Sequence, residues 1–273
     1  MNIPFHVTPY YKKEDCMKRS WIVCGVLLAF LFLGLNTVSA QSVDRIKKAG
    51  VLKIGSTATG VPTTFLDTNT GNISGIMVDV AQAFADHLGV KLEVIETPWA
   101  SLIPSLQSHK IDLICAAMSI TDQRKEVIDF SDPIYPYAET LLVKKGDPKA
   151  YKGINDIKPL TVGAQVGTVY AKNLEKEGIK ELKIYDNIQD IMREITVGRI
   201  DAGVVDGPVA GWLIKTKPEF QVKIAETYVP VWQTQIGAGI NKEDKDLKVE
   251  VDKVVQKMHQ DGKIKQILTK WGQ

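Results

Sequence analysis

Cysteine is almost absent from this sequence. Of three in 273 residues, Cys16 and Cys24 fall within the first 40, so Cys115 stands alone in everything that follows. That excludes an intramolecular disulfide beyond residue 40. Because Cys115 sits inside an apolar run, it reads as core packing rather than as a nucleophile. Charge of one sign is also lacking. The first 40 residues carry Lys12, Lys13, Lys18 and Arg19 against Glu14 and Asp15, and what remains holds 30 basic and 30 acidic residues. The formal charge of +2 therefore belongs to the N-terminus, and nothing suggests the basic stripe of a nucleic-acid-binding domain. The four histidines show no metal-ligand spacing; His87, His109 and His259 read as solvated helix positions. Internal repeats, low-complexity tracts and Gly/Ser linkers are missing, and no second long hydrophobic run follows Leu35.

What is present begins with a leader. Lys18 and Arg19 precede an apolar stretch from Trp21 to Leu35, and Val38-Ser39-Ala40 completes an A-x-A-like site, so cleavage after Ala40 is predicted. The apolar stretch falls short of the roughly 20 residues that a membrane-spanning helix needs. Met17 is an alternative start, which would leave residues 1–16 as an upstream extension. No small-residue pair precedes Cys24 in the manner of a lipoprotein cleavage box. A freely soluble exported protein is expected.

Beyond the leader, strand-like and helix-like segments alternate, which argues for an α/β architecture with parallel strands. Strands are predicted at 52–55, 91–95 and 111–118, with helices at 78–88 and 102–107 and a short one at 122–127. Extended segments at 139–144 and 236–240 bracket a second set, with strands at 160–164, 183–185 and 202–205 and helices at 168–177, 188–197 and 208–216. Residues 245–271 make one or two terminal helices. Two α/β units with extended chain at both borders imply two lobes joined by two crossing strands: lobe 1 from 41–142 plus 237–273, and lobe 2 from 143–236. Such a hinge closes lobes over a ligand.

The most informative stretch is Cys115 to Tyr135, C-A-A-M-S-I-T-D-Q-R-K-E-V-I-D-F-S-D-P-I-Y. A buried strand leads through Ser119 and Thr121 into a helix capped by Thr121 or Asp122, and Arg124 falls in its first turn. A cation there opposes the helix dipole by roughly 0.3–1 kcal/mol unless an anion is close. Backbone N–H groups, a hydroxyl and a guanidinium fork suit a carboxylate. The same pattern also arises where the hydroxyl merely caps and the arginine is solvated. Asp206, before Gly207-Pro208, and Thr168, after Gly167, are likewise either helix caps or ligand contacts.

Eight phrases in order carry a resemblance: Gly55-S-T-A-T-G, Gly71-N-I-S-G-I-M-V-D-V, Trp99-A-S-L-I-P-S-L, Met118-S-I-T-D-Q-R, Asp129-F-S-D-P-I-Y, Gly163-A-Q-V-G-T, Gly198-R-I-D-A-G-V-V-D and Asp261-G-K-I-K-Q-I. Over 45–271 the chain resembles the polar amino-acid family of periplasmic solute-binding proteins that serve ABC importers. The resemblance implies a two-lobed periplasmic-binding-protein fold with an amino acid held in the cleft, a periplasmic location, a membrane permease as partner, a monomer and no cofactor. It implies that Arg124 forks onto the ligand carboxylate, helped by the Ser119 N–H and by backbone at Thr168 and Val169. Asp206 then receives the ammonium beside the Ala117 carbonyl and the Ser119 hydroxyl.

Departures from the family pattern bear on specificity. Gly60 and Thr63 stand where an aromatic often sandwiches the ligand, and Thr57 where binders of basic side chains carry an acid. Trp99 remains as an aromatic wall, with plain lobe packing as its other role. A neutral or unusual amino acid is expected over arginine, lysine or histidine. A cyclohexadienyl dehydratase resembles the same family, but Gly167-Thr168-Val169-Tyr170-Ala171 lacks the acid that such catalysis requires after this turn. A sensor lobe would need a following membrane segment, which the sequence to Gln273 does not hold.

Overall fold

The computed structural model describes residues 42–273. The leader, its cleavage point after Ala40, the start at Met17 and the cysteines Cys16 and Cys24 lie outside the described residues. The first half opens with α1 (Ser42–Ala49) and β1 (Val51–Ser56), then a small antiparallel sheet of β2 (Thr59–Gly60), β3 (Thr64–Asp67) and β4 (Asn72–Ser74). Helix α2 (Ile76–Leu88), β5 (Lys91–Glu96), a 3-10 turn (Trp99–Ser101), α3 (Leu102–Gln107), β6 (Leu113–Ser119), α4 (Asp122–Lys125) and β7 (Asp129–Phe130) follow. The long β8 (Tyr135–Lys144) leads to α5 (Ile154–Ile157), β9 (Thr161–Gln165), α6 (Val169–Glu177), β10 (Glu181–Tyr185), α7 (Ile188–Val197), β11 (Ala202–Asp206), α8 (Gly207–Thr216) and β12 (Val222–Ile224). Strand β13 (Gln233–Ile240) returns to the first half, and α9 (Lys245–Gln260) and α10 (Lys263–Lys270) complete it.

The helical pattern is explicit in α2. Ile76, Met77, Val80, Ala81, Phe84, Ala85 and Leu88 recur at helical spacing and are all buried, each large side chain contributing roughly 1.5–3 kcal/mol by leaving water. Gly89 ends the helix at φ 70°, a left-handed conformation that a side chain disfavours. Strands β1, β5 and β6 run parallel, as do β9, β10 and β11. Their near-continuous apolar runs are covered on both faces, so each half has two cores. In the first half they centre on Leu52 and Phe84 and on Leu102 and Ile114; in the second, on Val162 and Leu174 and on Ile191 and Leu213.

Two antiparallel strands connect the halves. Along β8, Tyr135–Ala138 pair with β13 and Glu139–Val143 pair with β11; along β13, Gln233–Ile236 pair with β8 and Ile236–Ile240 with β6. The architecture is thus mixed α/β with two lobes and two crossing strands. At the crossing, Glu139 is 1% exposed. Its carboxylate accepts hydrogen bonds from the Val231 N–H (2.7 Å), the Trp232 N–H (3.0 Å) and the Tyr228 hydroxyl (3.1 Å). These fasten the segment that enters β13.

Several elements escaped the sequence reading because they are short or polar, namely α1, the β2–β4 sheet, α5 and β12. The terminal helix divides at Asp261-Gly262, where Gly262 has φ 74°. His109 lies in the turn after α3 with φ 53° rather than in a helix. There it approaches Asn241, Glu243 and Asp244. No described helix is long and apolar enough to cross a membrane, and the described residues contain no metal-binding group of His, Cys, Asp or Glu. Cys115 is wholly buried, as core packing requires, and burial pushes its thiol pKa far up.

Candidate functional site

The site begins with an irregularity in β6. Its ladder with β13 shifts register, Met118 opposing Gly237 while Ile114 opposes Gly239. The extra residues bulge out, and Ala117 adopts φ 54°, an uncommon conformation for alanine. Bulges re-aim backbone groups beside functional sites. Here the Ala117 carbonyl accepts a hydrogen bond from the Tyr137 hydroxyl at 3.1 Å.

Immediately after β6, Thr121 caps α4, its hydroxyl accepting from the Arg124 N–H at 3.2 Å. This places Arg124 in the cleft, only 8% exposed. Its Nη1 donates to the Ser119 carbonyl at 2.7 Å and its Nη2 to the Gly167 carbonyl in the other lobe at 3.1 Å. The guanidinium carbon lies 5.6 Å from the Trp99 ring centroid, within cation–π range. Two of the five guanidinium donors are thus spent on orientation and three remain. Burial lowers its pKa, opposed by Tyr137, Asp206 and Tyr170.

From the second lobe comes Asp206, at the end of β11. It occupies the N-cap position of α8, with proline in the first turn, yet its side chain makes no capping hydrogen bond. The carboxyl faces the cleft instead. Burial raises its pKa, while Tyr137, Tyr170 and Arg124 pull it down. Thr168 behaves oppositely: its hydroxyl accepts from the Ala171 N–H at 3.2 Å and donates to the Gln165 carbonyl at 2.8 Å. It caps α6, leaving the backbone rather than the hydroxyl for other contacts.

Thr57, Trp99, Ala117 and Asp206 line one inner cavity, together with Tyr137 and Gln165. About 20 Å³ of space is free there, too little for an amino acid, so entry requires the lobes to part. Trp99 also forms the wall of a neighbouring pocket of about 320 Å³, which Arg124, Gln123, Gly167 and Lys172 line. Ser119, Thr168 and Val169 line neither. The expected residues that line a cavity therefore fall on two sides of Trp99, with Thr57, Ala117 and Asp206 on one and Arg124 on the other. Across the mouth, the Lys172 ammonium donates to the Gln123 side-chain oxygen at 2.8 Å.

Residues 52–273 match the family model of bacterial extracellular solute-binding proteins, family 3. The chain belongs to that family. The L-cystine-binding protein TcyJ of Escherichia coli is 30% identical over 252 residues, covering 90% of this chain and 93% of that protein. Among solved structures, the P235GK mutant of ArgBP from T. maritima superposes with a TM-score of 0.78 at 33% identity, covering 84% of this chain and 98% of its own. The ancestral amino acid-binding protein AncCDT-1, described as a precursor of cyclohexadienyl dehydratase, superposes at 0.76 with 33% identity, covering 84% and 99%.

Sequence reasoning about this family-3 protein passed over Tyr137, Gln165 and Tyr170. Tyr135 and Tyr137 alternate along P-I-Y-P-Y and so share a strand face, which was the available signal. Gln165 and Tyr170 flank the Gly167-Thr168 turn without any local pattern pointing inward.

Proposed function

We propose that this protein captures a free α-amino acid between its lobes and delivers it, as a monomer in the periplasm, to an ABC importer. The observation that carries this reading is the pairing of a buried guanidinium from one lobe, Arg124, with an uncapped carboxylate from the other, Asp206. A zwitterion presents two opposite charges at a fixed separation, and charge-assisted hydrogen bonds read both. Arg124 takes the carboxylate, aided by backbone at Ser119, Thr168 and Val169. Asp206 takes the ammonium, with the Ala117 carbonyl beside it. The lobes are 41–142 with 237–273, and 143–236, and they rotate about β8 and β13. Ligand drives closure because it touches both lobes only when they meet. The leader is removed after Ala40.

Thr57, Thr59, Thr63 and Gln165 give the inner cavity a neutral polar lining in which Asp206 is the one carboxylate. A cationic side chain finds no second counter-charge, so the reading favours a neutral amino acid. We read the protein as a binder rather than a dehydratase, since Asp206 is committed to the ammonium and the Gly167-Thr168 turn carries no acid. The test is calorimetry of residues 41–273 against the amino acids, with prephenate and arogenate assayed for conversion. Binding of a neutral amino acid, lost in Arg124→Ala, is expected. A tight arginine complex would overturn the specificity, and aromatic product would overturn the assignment as a binder.

A further inference from the structure

Most of the polar groups lining the inner cavity have their protons already committed. Thr63 donates its hydroxyl proton to the Gly60 carbonyl, and Tyr137 donates its own to the Ala117 carbonyl at 3.1 Å. Each oxygen is left to the cavity only as an acceptor. Gln165 comes from the other lobe, and its amide nitrogen donates to the Asp186 carbonyl at 2.9 Å. Only the NH2 end of an amide can face a carbonyl, so this contact fixes which way round the amide lies. The Gln165 oxygen has no partner among the described residues. Thr57 is the exception. Its hydroxyl lies 2.8 Å from that of Thr64, which is fully buried and hydrogen-bonds to nothing else among the described residues. A buried hydroxyl keeps its proton paired, so Thr64 donates to Thr57 and the Thr57 proton remains for the cavity. A first side-chain carbon on Gly60 would lie 3.2 Å from the Thr63 hydroxyl and 3.5 Å from that of Thr57; both therefore gather at one point, which glycine leaves open. Helix α7, beginning two residues after Asp186, packs against β2 and brings this part of the second lobe up to the threonines.

We propose that Gln165, Thr63 and Thr57 are specificity-determining residues that restrict the ligand to amino acids whose uncharged side chain donates a hydrogen bond, a hydroxyl or a carboxamide. This rests on the proposed capture of the amino-acid head by Arg124 and Asp206. With the head assigned to those two, the remaining polar groups of the inner cavity face what the ligand carries beyond its α-carbon. Thr63 and Gln165 offer oxygens that need a donor, and Thr57 offers one proton that needs an acceptor. A carboxamide or a hydroxyl supplies both. Thr59 forms no hydrogen bond among the described residues, and its hydroxyl is free to turn either way. An apolar side chain would leave the Gln165 oxygen and the Thr57 proton unpaired once the lobes close and exclude water, which costs more than the missing bond itself. A site built to hydrogen-bond a group rejects the analogue that lacks it. A carboxylate side chain would set its charge against the Thr63 and Gln165 oxygens with Asp206 in the same cavity, while Arg124, across Trp99, is taken by the ligand's own carboxylate.

The experiment is titration calorimetry of residues 41–273 with amino acids taken in matched sets of nearly equal shape: threonine against valine, asparagine against leucine and aspartate, glutamine against methionine and glutamate. In the set that contains the ligand, the hydroxyl or carboxamide member is expected to bind on the order of 100-fold more tightly than its apolar and acidic counterparts. Gln165→Met and Thr63→Val keep the shape and remove the acceptor, and two variants guard against one misfolding. Each should weaken the preferred ligand about tenfold and leave its apolar counterpart unchanged or tighter, so that the ratio between them narrows. A merely structural role would weaken both members equally and would overturn the proposal, as would an apolar, acidic or cationic amino acid binding most tightly. Such a ligand, if lost in Arg124→Ala, would leave the capture of an amino acid standing while refuting this account of its selectivity. Absence of binding by every amino acid would sink the capture and the selectivity together.

Discussion

Replacing Asp206 with asparagine is expected to destroy capture and stabilise the protein that performs it. The folded carboxyl has a pKa above its ordinary value because it is buried. Between the unfolded value of about 3.9 and that raised value, the native chain holds a proton that the unfolded chain has released. Native stability therefore falls as pH rises through this window. Asparagine, nearly the same shape, carries no such penalty. Binding moves the other way. Removing one partner from a buried ion pair costs about 3–5 kcal/mol, which at about 1.4 kcal/mol per tenfold weakens the complex by roughly two to three and a half orders of magnitude. Calorimetric melting of the ligand-free proteins measures the first effect, and titration calorimetry near pH 7 the second. The melting temperature of the variant should exceed the parent's at pH 7, and the gap should close as pH falls towards 4. A variant that melts below the parent at pH 7, or binds as tightly, would refute the reasoning.

Three further outcomes are expected. Arg124→Lys keeps the charge but loses the fork and the contacts to the Ser119 and Gly167 carbonyls; one lost charge-assisted bond of about 1.5–3 kcal/mol should weaken the amino-acid complex about 10- to 100-fold in calorimetry, and an unchanged affinity would exclude bidentate capture. Glu139→Gln puts a donor where the Trp232 N–H or the Tyr228 hydroxyl now donates, so urea unfolding should show a loss of about 1–3 kcal/mol; a neutral result would mean the crossing segment is held by other contacts. Cys115, wholly buried with its thiol pKa pushed up, should resist a chromogenic disulfide reagent in the native protein and react once denatured. Rapid native labelling would show that the β6 region opens.

Much of this protein is legible along the chain. The alternation of apolar runs with amphipathic helices, punctuated by Gly89, Gly178 and Gly198 as left-handed helix ends, determines two α/β units, since periodicity and glycine stops are local properties. The S-I-T-D-Q-R phrase narrows the cap to Thr121 or Asp122 and puts Arg124 in the first turn, because capping acts over three residues; the fold selects Thr121. Asp206 could not be resolved this way. Its position is that of a cap in any sequence, and only the completed fold decides that the carboxyl lines the inner cavity rather than capping its own helix. The left-handed Ala117 likewise comes from the mismatch of β6 with β13, which stand more than a hundred residues apart. Which backbone carbonyls Arg124 engages and where the hinge carboxylate Glu139 is pinned both depend on contacts between distant segments. Sequence determines such contacts only through the completed fold, where desolvation and the closing of one lobe on the other select the partners.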